Sequence, residues 1–121
     1  MNYNLFLDDI RYPQNVTYTK IPDVKWIIVR NFDDFVYTIS TFGIPDNISF
    51  DHDLGIKSME EFNKNGLNYD YNNIGEEKTG LHCALYLKEI LNKKKYKWPN
   101  IFIHTINPVG LHNIKTVFNL S

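Results

Sequence analysis

A chain of 121 residues, 43% apolar and 22% charged, has the size and composition of about one globular domain able to bury a core. Its formal net charge of −1 argues against wrapping long nucleic acid by phosphate neutralisation, but suits a small phosphorylated ligand or a nucleic-acid end. The single cysteine, Cys83, excludes an intramolecular disulfide and a cysteine-based zinc cluster.

Leu5-Phe6-Leu7 is a short apolar run that ends in the acidic pair Asp8-Asp9. Tyr12-Pro13 breaks any helix, and residues 13–24 read as irregular. Lys25–Arg30 is rich in β-branched and aromatic residues and reads as the second strand. Asn31 is an N-cap, with Asp33 and Asp34 in the first turn, where the helix dipole favours acids. Phe32, Phe35, Val36, Ile39 and Phe42 then recur at helical spacing until Gly43 and Pro45 supply the stop. The third strand, Ile48-Ser49-Phe50, delivers Asp51-His52-Asp53.

Residues 55–78 are rich in Asn, Gly and Tyr, with little apolar periodicity beyond a short helix near 58–63. Such a stretch reads equally as a lid or binding loop and as a solvated insertion. Thr79 caps a second helix whose Leu81, Ala84, Leu85, Leu87, Ile90 and Leu91 predict a well-buried element. Lys93, Lys94, Lys95 and Lys97 at its C-terminal end suit the dipole without any ligand. Ile101-Phe102-Ile103 is the fourth strand and delivers His104-Thr105. Asn107-Pro108 opens a last helix with Leu111, Ile114, Val117 and Phe118 as its buried stripe. With no internal repeat and no linker, residues 1–121 are expected to form one domain. The chain shows no basic-then-apolar leader and no membrane-length apolar stretch, so a cytoplasmic protein is expected, or a phage or viral one in the host cytoplasm.

Alternating strands and helices predict a three-layer α/β fold with a parallel sheet. Right-handed crossovers place every strand-to-helix junction on one edge, so Asp8, Asp9, Asp51, Asp53, Thr79, His104, Thr105 and Asn107 are expected to line one crevice. Neighbouring strands lie about 5 Å apart, so the carboxylates crowd together and repel when ionised. Asp8-Asp9 taken alone also reads as a turn, but the second acidic cluster favours Asp8, Asp9 and Asp51 as oxygen ligands of Mg²⁺ or Mn²⁺.

Four segments, in order, resemble the cyclic-phosphate-processing branch of receiver-like domains. They are Leu5–Pro13, Ser49–Gly55, Thr79-Gly80 opening a helix, and His104–Gly110, and they span about 105 residues of the chain. The resemblance implies a receiver-like, flavodoxin-like sheet in the order 2-1-3-4, with the polar insertion after the third strand and room for a fifth element from it. It also implies a metal-dependent phosphoesterase acting on a cyclic nucleotide or an RNA 2′,3′-cyclic end. No lysine ends a predicted strand, unlike in signalling receivers, and this favours hydrolysis over a stable aspartyl-phosphate.

On that reading His104 and His52 are the general acid and base, since imidazole titrates near neutrality. Asp53 completes the metal shell, orients a water or serves as base; with Gly55 it also reads as a simple turn. Arg11 captures phosphate with its planar fork or pairs with the acidic cluster. Thr79-Gly80 presents backbone N–H groups to an anion, and Thr105 and Asn107 hydrogen-bond the phosphate, Asn107 being equally a plain cap. His82 and His112 fall inside helices and read as structural. The expected partner is a small phosphorylated ligand or nucleic-acid end, with no extended DNA and no membrane. Two rival readings remain: a phosphoacceptor receiver using Asp51, and a module that binds a nucleotide or protein without turnover.

Overall fold

The computed structural model describes residues 2–94 and 96–120; Lys95 lies outside them. Strands β1 (Asn4–Leu7), β2 (Ile27–Val29), β3 (Asn47–Phe50) and β4 (Asn100–Ile103) form one sheet in the order β2-β1-β3-β4. All three pairings are parallel, and Leu7 stands level with Val29 and Phe50, and Phe50 with Ile103. The four-strand order expected from the sequence is therefore the observed one. Among the described residues the segment after β3 contributes no fifth strand.

Helices α1 (Phe32–Phe42), α3 (Gly80–Lys93) and α4 (Pro108–Val117) cover one face of the sheet. Phe35 and Ile39 of α1, Ala84 and Leu87 of α3, and Ile114 of α4 meet Leu5, Leu7, Ile48 and Phe50 in a single core. The opposite face carries Phe6 and Ser49. Its cover is the segment between β1 and β2, which has only a 3-10 turn at Pro13–Asn15 and sets Trp26 edge-on against Phe6 at 6.0 Å. The Tyr18 hydroxyl, farther along this segment, donates to the His104 carbonyl at 2.6 Å and ties the cover to β4.

Residues 55–78 hold more structure than their composition predicts: helix α2 (Ile56–Asn65) and 3-10 turns at Gly66–Asn68 and Tyr71–Ile74. The short helix expected near 58–63 is present as α2, and its buried positions are Ser58 and Glu61, so its inner face is polar. No helix among the described residues is long and apolar enough to cross a membrane.

Candidate functional site

The site begins where the sheet ends. Asp8, Asp51 and His104 are each the first residue past a strand, and each prolongs the ladder by one backbone bond. The Asp8 N–H donates to Val29 O at 3.1 Å, Asp51 N–H to Leu7 O at 2.9 Å, and His104 N–H to Phe50 O at 2.9 Å. This shared level puts one potential ligand atom from each side chain within 4.8 Å of the others, all three residues buried.

Asp8 is the most tightly held. Its Oδ1 accepts from the backbone N–H groups of Ile10 (3.0 Å) and Arg11 (2.9 Å), and its Oδ2 lies 3.0 Å from His104 Nε2. Burial alone would raise this carboxyl, but the bonds from His104, Arg11 and Ile10 hold it at about 2. Among the described residues only the His52 N–H donates to the Asp51 side chain. Burial, then the charge of Asp8, pushes it up to about 8. Asp9 is raised to about 6 by burial and by Asp8.

His104 is stacked flat on Phe6 at 4.5 Å, and burial lowers its pKa against the pull of Asp8. Because Asp8 is ionised, Nε2 carries the proton and donates to it, while Nδ1 accepts from Ser49 Oγ at 2.7 Å.

Two carboxylates and an imidazole converging on one point could hold a metal ion. Arg11 Nη1 lies 3.4 Å from Asp8 Oδ2 and 4.0 Å from Asp51 Oδ2, placing a guanidinium against both carboxylates. His104 thus joins Asp8 and Asp51 in the convergent set, while Asp9 stands beside Asp8 on the wall of an adjoining crevice of about 200 Å³ that Arg11, Asp51 and Asp53 also line.

A second polar network braces that crevice from behind. Asp53 Oδ1 receives His52 Nδ1 (2.7 Å), Ser58 Oγ (2.7 Å) and Asn107 Nδ2 (3.2 Å). His52 Nε2 meets the Tyr71 hydroxyl at 2.8 Å, and that hydroxyl also accepts from Asn113 Nδ2 at 3.0 Å. His52 is fully buried with both nitrogens engaged, and its ring fills the space where a side chain on Gly110 would go. Asp53 faces the crevice and His52 does not, which is the alternation expected of an extended segment.

The remaining expected substrate contacts are spent inside the fold. Thr79 is buried and caps α3, accepting from the Leu81 N–H, while its own N–H donates to His82 Nδ1. The Gly80 N–H donates to the His52 carbonyl at 2.8 Å, and a Cβ there would overlap the Asp51 carbonyl. Thr105 Oγ1 accepts from the Asn107 N–H; Asn107 Oδ1 caps α4 by accepting from Val109 and Gly110. These four position the site, and Arg11 alone of the five reaches the crevice.

Sequence reasoning missed Ser49, Ser58, Tyr69 and Tyr71. Ser49 left one signal, a polar residue at the centre of a buried strand. Ser58 and the two tyrosines left none, because their partners are fixed only by folding. The Tyr69 hydroxyl lies 2.6 Å from Ser58 Oγ.

A family model described as "Cyclic-phosphate processing Receiver domain" matches residues 3–119. No curated protein and no solved structure matches the chain.

Proposed function

The chain belongs to the cyclic-phosphate processing receiver domain family, and from that premise we propose that it is a metal-dependent phosphoesterase that opens a cyclic phosphate. The observation that carries the reading is the level convergence of Asp8, Asp51 and His104 beside Arg11 and Asp53. Asp8 and Asp51 would hold Mg²⁺ or Mn²⁺, with His104 Nε2 orienting Asp8 through its bond to Oδ2. The bound ion supplies Lewis-acid polarisation of a phosphoryl oxygen and acidification of water.

The residues of the chain do the rest. Arg11, relieved of its carboxylate partners, turns its fork to the phosphate oxygens. Asp53, pinned through Oδ1 by three donors, takes a proton from the attacking water as the water oxygen bonds to phosphorus. The ring P–O bond breaks, and that proton goes on to the departing alkoxide. His104 holds Asp8 in place and His52 holds Asp53, so the buried imidazoles position the carboxylates.

A panel of 2′,3′-cyclic and 3′,5′-cyclic nucleotides with Mg²⁺, Mn²⁺ or EDTA tests this. Turnover is expected only with metal, and Asp51→Ala is expected to lose at least a hundredfold in rate while keeping its circular-dichroism spectrum. Undiminished turnover by Asp51→Ala would refute the assignment.

A further inference from the structure

Residues 55–78 lay two tyrosine hydroxyls against the buried network behind the crevice, and counting protons fixes the direction of each bond there. Asn107 Oδ1 is taken up by the N–H groups of Val109 and Gly110, so its Nδ2 is the amide nitrogen and donates to Asp53 Oδ1. Asn107 Nδ2 also lies 3.3 Å from His52 Nδ1, but Asp53 Oδ1 is nearer to that nitrogen, at 2.7 Å. With Asp53 ionised, His52 Nδ1 carries a proton and Ser58 Oγ gives its own, so Oδ1 receives three donors. His52 Nε2 is then bare and accepts from the Tyr71 hydroxyl at 2.8 Å, whose oxygen accepts in turn from Asn113 Nδ2 at 3.0 Å. Ser58 Oγ, its proton spent on Asp53, accepts from the Tyr69 hydroxyl at 2.6 Å.

Two chains of bonds, Tyr71 through His52 and Tyr69 through Ser58, therefore run inward and end on the same oxygen. His52 and Ser58 are fully buried, so neither trades these partners for water. The other oxygen is left over. Among the described residues nothing donates to Asp53 Oδ2, and no buried side-chain oxygen lacks a partner, so Oδ2 is the atom that Asp53 shows to the crevice. An oxygen held by three donors is a poor base, whereas the unbonded one keeps its lone pairs for a water.

We propose that Tyr71 and Tyr69 are positioning residues that, through His52 and Ser58, commit Asp53 Oδ1 to the fold and leave Oδ2 as the oxygen that meets the attacking water. The segment after β3 then walls the site from behind. This inference rests on the reading of Asp53 as the base. As the water oxygen bonds to phosphorus its O–H bond breaks, and the proton lands on Oδ2 while Oδ1 keeps its donors. From Oδ2 the proton passes to the departing alkoxide.

Two measurements test it. Nitrogen-15 NMR of the parent protein in Mg²⁺ reads the His52 tautomer without any variant: a proton on Nδ1 and a bare Nε2 are expected, and a proton on Nε2 overturns the inference. Turnover of 2′,3′-cyclic AMP and calorimetric Mn²⁺ affinity are then compared among the parent, Tyr71→Phe and Tyr69→Phe. Phenylalanine keeps the edge-on ring packing of His52, Tyr69 and Tyr71 and removes one hydroxyl. Tyr71→Phe is expected to lose about tenfold in kcat while KM and Mn²⁺ affinity stay within about twofold, and Tyr69→Phe to move kcat in the same direction. An unchanged kcat in both variants, or KM and metal affinity worsening together with kcat as in general loosening, overturns the positioning role. If the parent turns over no cyclic phosphate, the phosphoesterase reading fails and the tautomer alone decides: a proton on Nδ1 keeps the two tyrosines in their role, and one on Nε2 ends it. Turnover with a proton on Nε2 keeps the phosphoesterase and sinks the positioning role.

Discussion

Ser49 does more for the site than its size implies. Among the described residues its hydroxyl is the only partner of His104 Nδ1, and His104 in turn holds Asp8 Oδ2. Ser49→Ala leaves a buried ring nitrogen unpaired, which costs about 1–3 kcal/mol of stability by urea denaturation. It also frees the imidazole to rotate, so Mn²⁺ affinity is expected to fall about tenfold or more by calorimetry, the usual size of an outer-layer effect on a metal site. The acidic residues themselves were readable in the sequence, because two acidic clusters follow apolar runs that parallel strands bring to one edge, whereas either cluster alone reads as a turn. Thr79 and Asn107 were readable as caps. That they turn inward was not, since it depends on how closely α3 and α4 approach the end of β3, a distance that no local pattern encodes.

At the level of elements, the chain order of strands and helices followed from apolar runs and caps, and their parallel pairing from the handedness of crossovers, while the sheet order came from the family resemblance; the sheet agrees with all three. Helix α2 was the weak point. A short helix near 58–63 was legible, but its full extent, Ile56–Asn65, was not, because its inward face uses Ser58 to reach Asp53 and Tyr69. Helix α4 is seated in a different way: Gly110 lets its first turn close on the His52 ring. Gly110→Ala would force that ring out of its bonds with Asp53 and Tyr71. We expect a loss of roughly 2 kcal/mol or more, seen as a lower urea midpoint, together with reduced turnover as Asp53 loosens. An unchanged midpoint would show that the ring has room to move.

For the whole molecule, the charge at the sheet edge governs how stability responds to pH. The Asp51 carboxyl, near 3.8 in the unfolded chain, is raised to about 8 in the fold, so the folded state holds its proton more tightly. Its contribution is therefore present below about pH 4 and is lost as pH rises through 8. His104, lowered by burial, acts in the opposite sense but only below its ordinary range near 6.5. Asp8, held at about 2, matters only in strong acid. Between pH 6.5 and 8 Asp51 dominates, and the melting temperature of metal-free protein is expected to fall. Saturating Mn²⁺ binds the ionised carboxylate, so the metal-induced rise in melting temperature is expected to be larger at pH 8 than at pH 6.5. A rise independent of pH would count against Asp51 as a ligand.

Arg11 serves two masters in this arrangement, resting against Asp8 and Asp51 until something else neutralises them. A phosphate that arrived alone would draw the guanidinium away and leave the acids facing each other bare. If the site takes metal and phosphate as proposed, loading would be sequential: cation first, anion second, with departure in the reverse order.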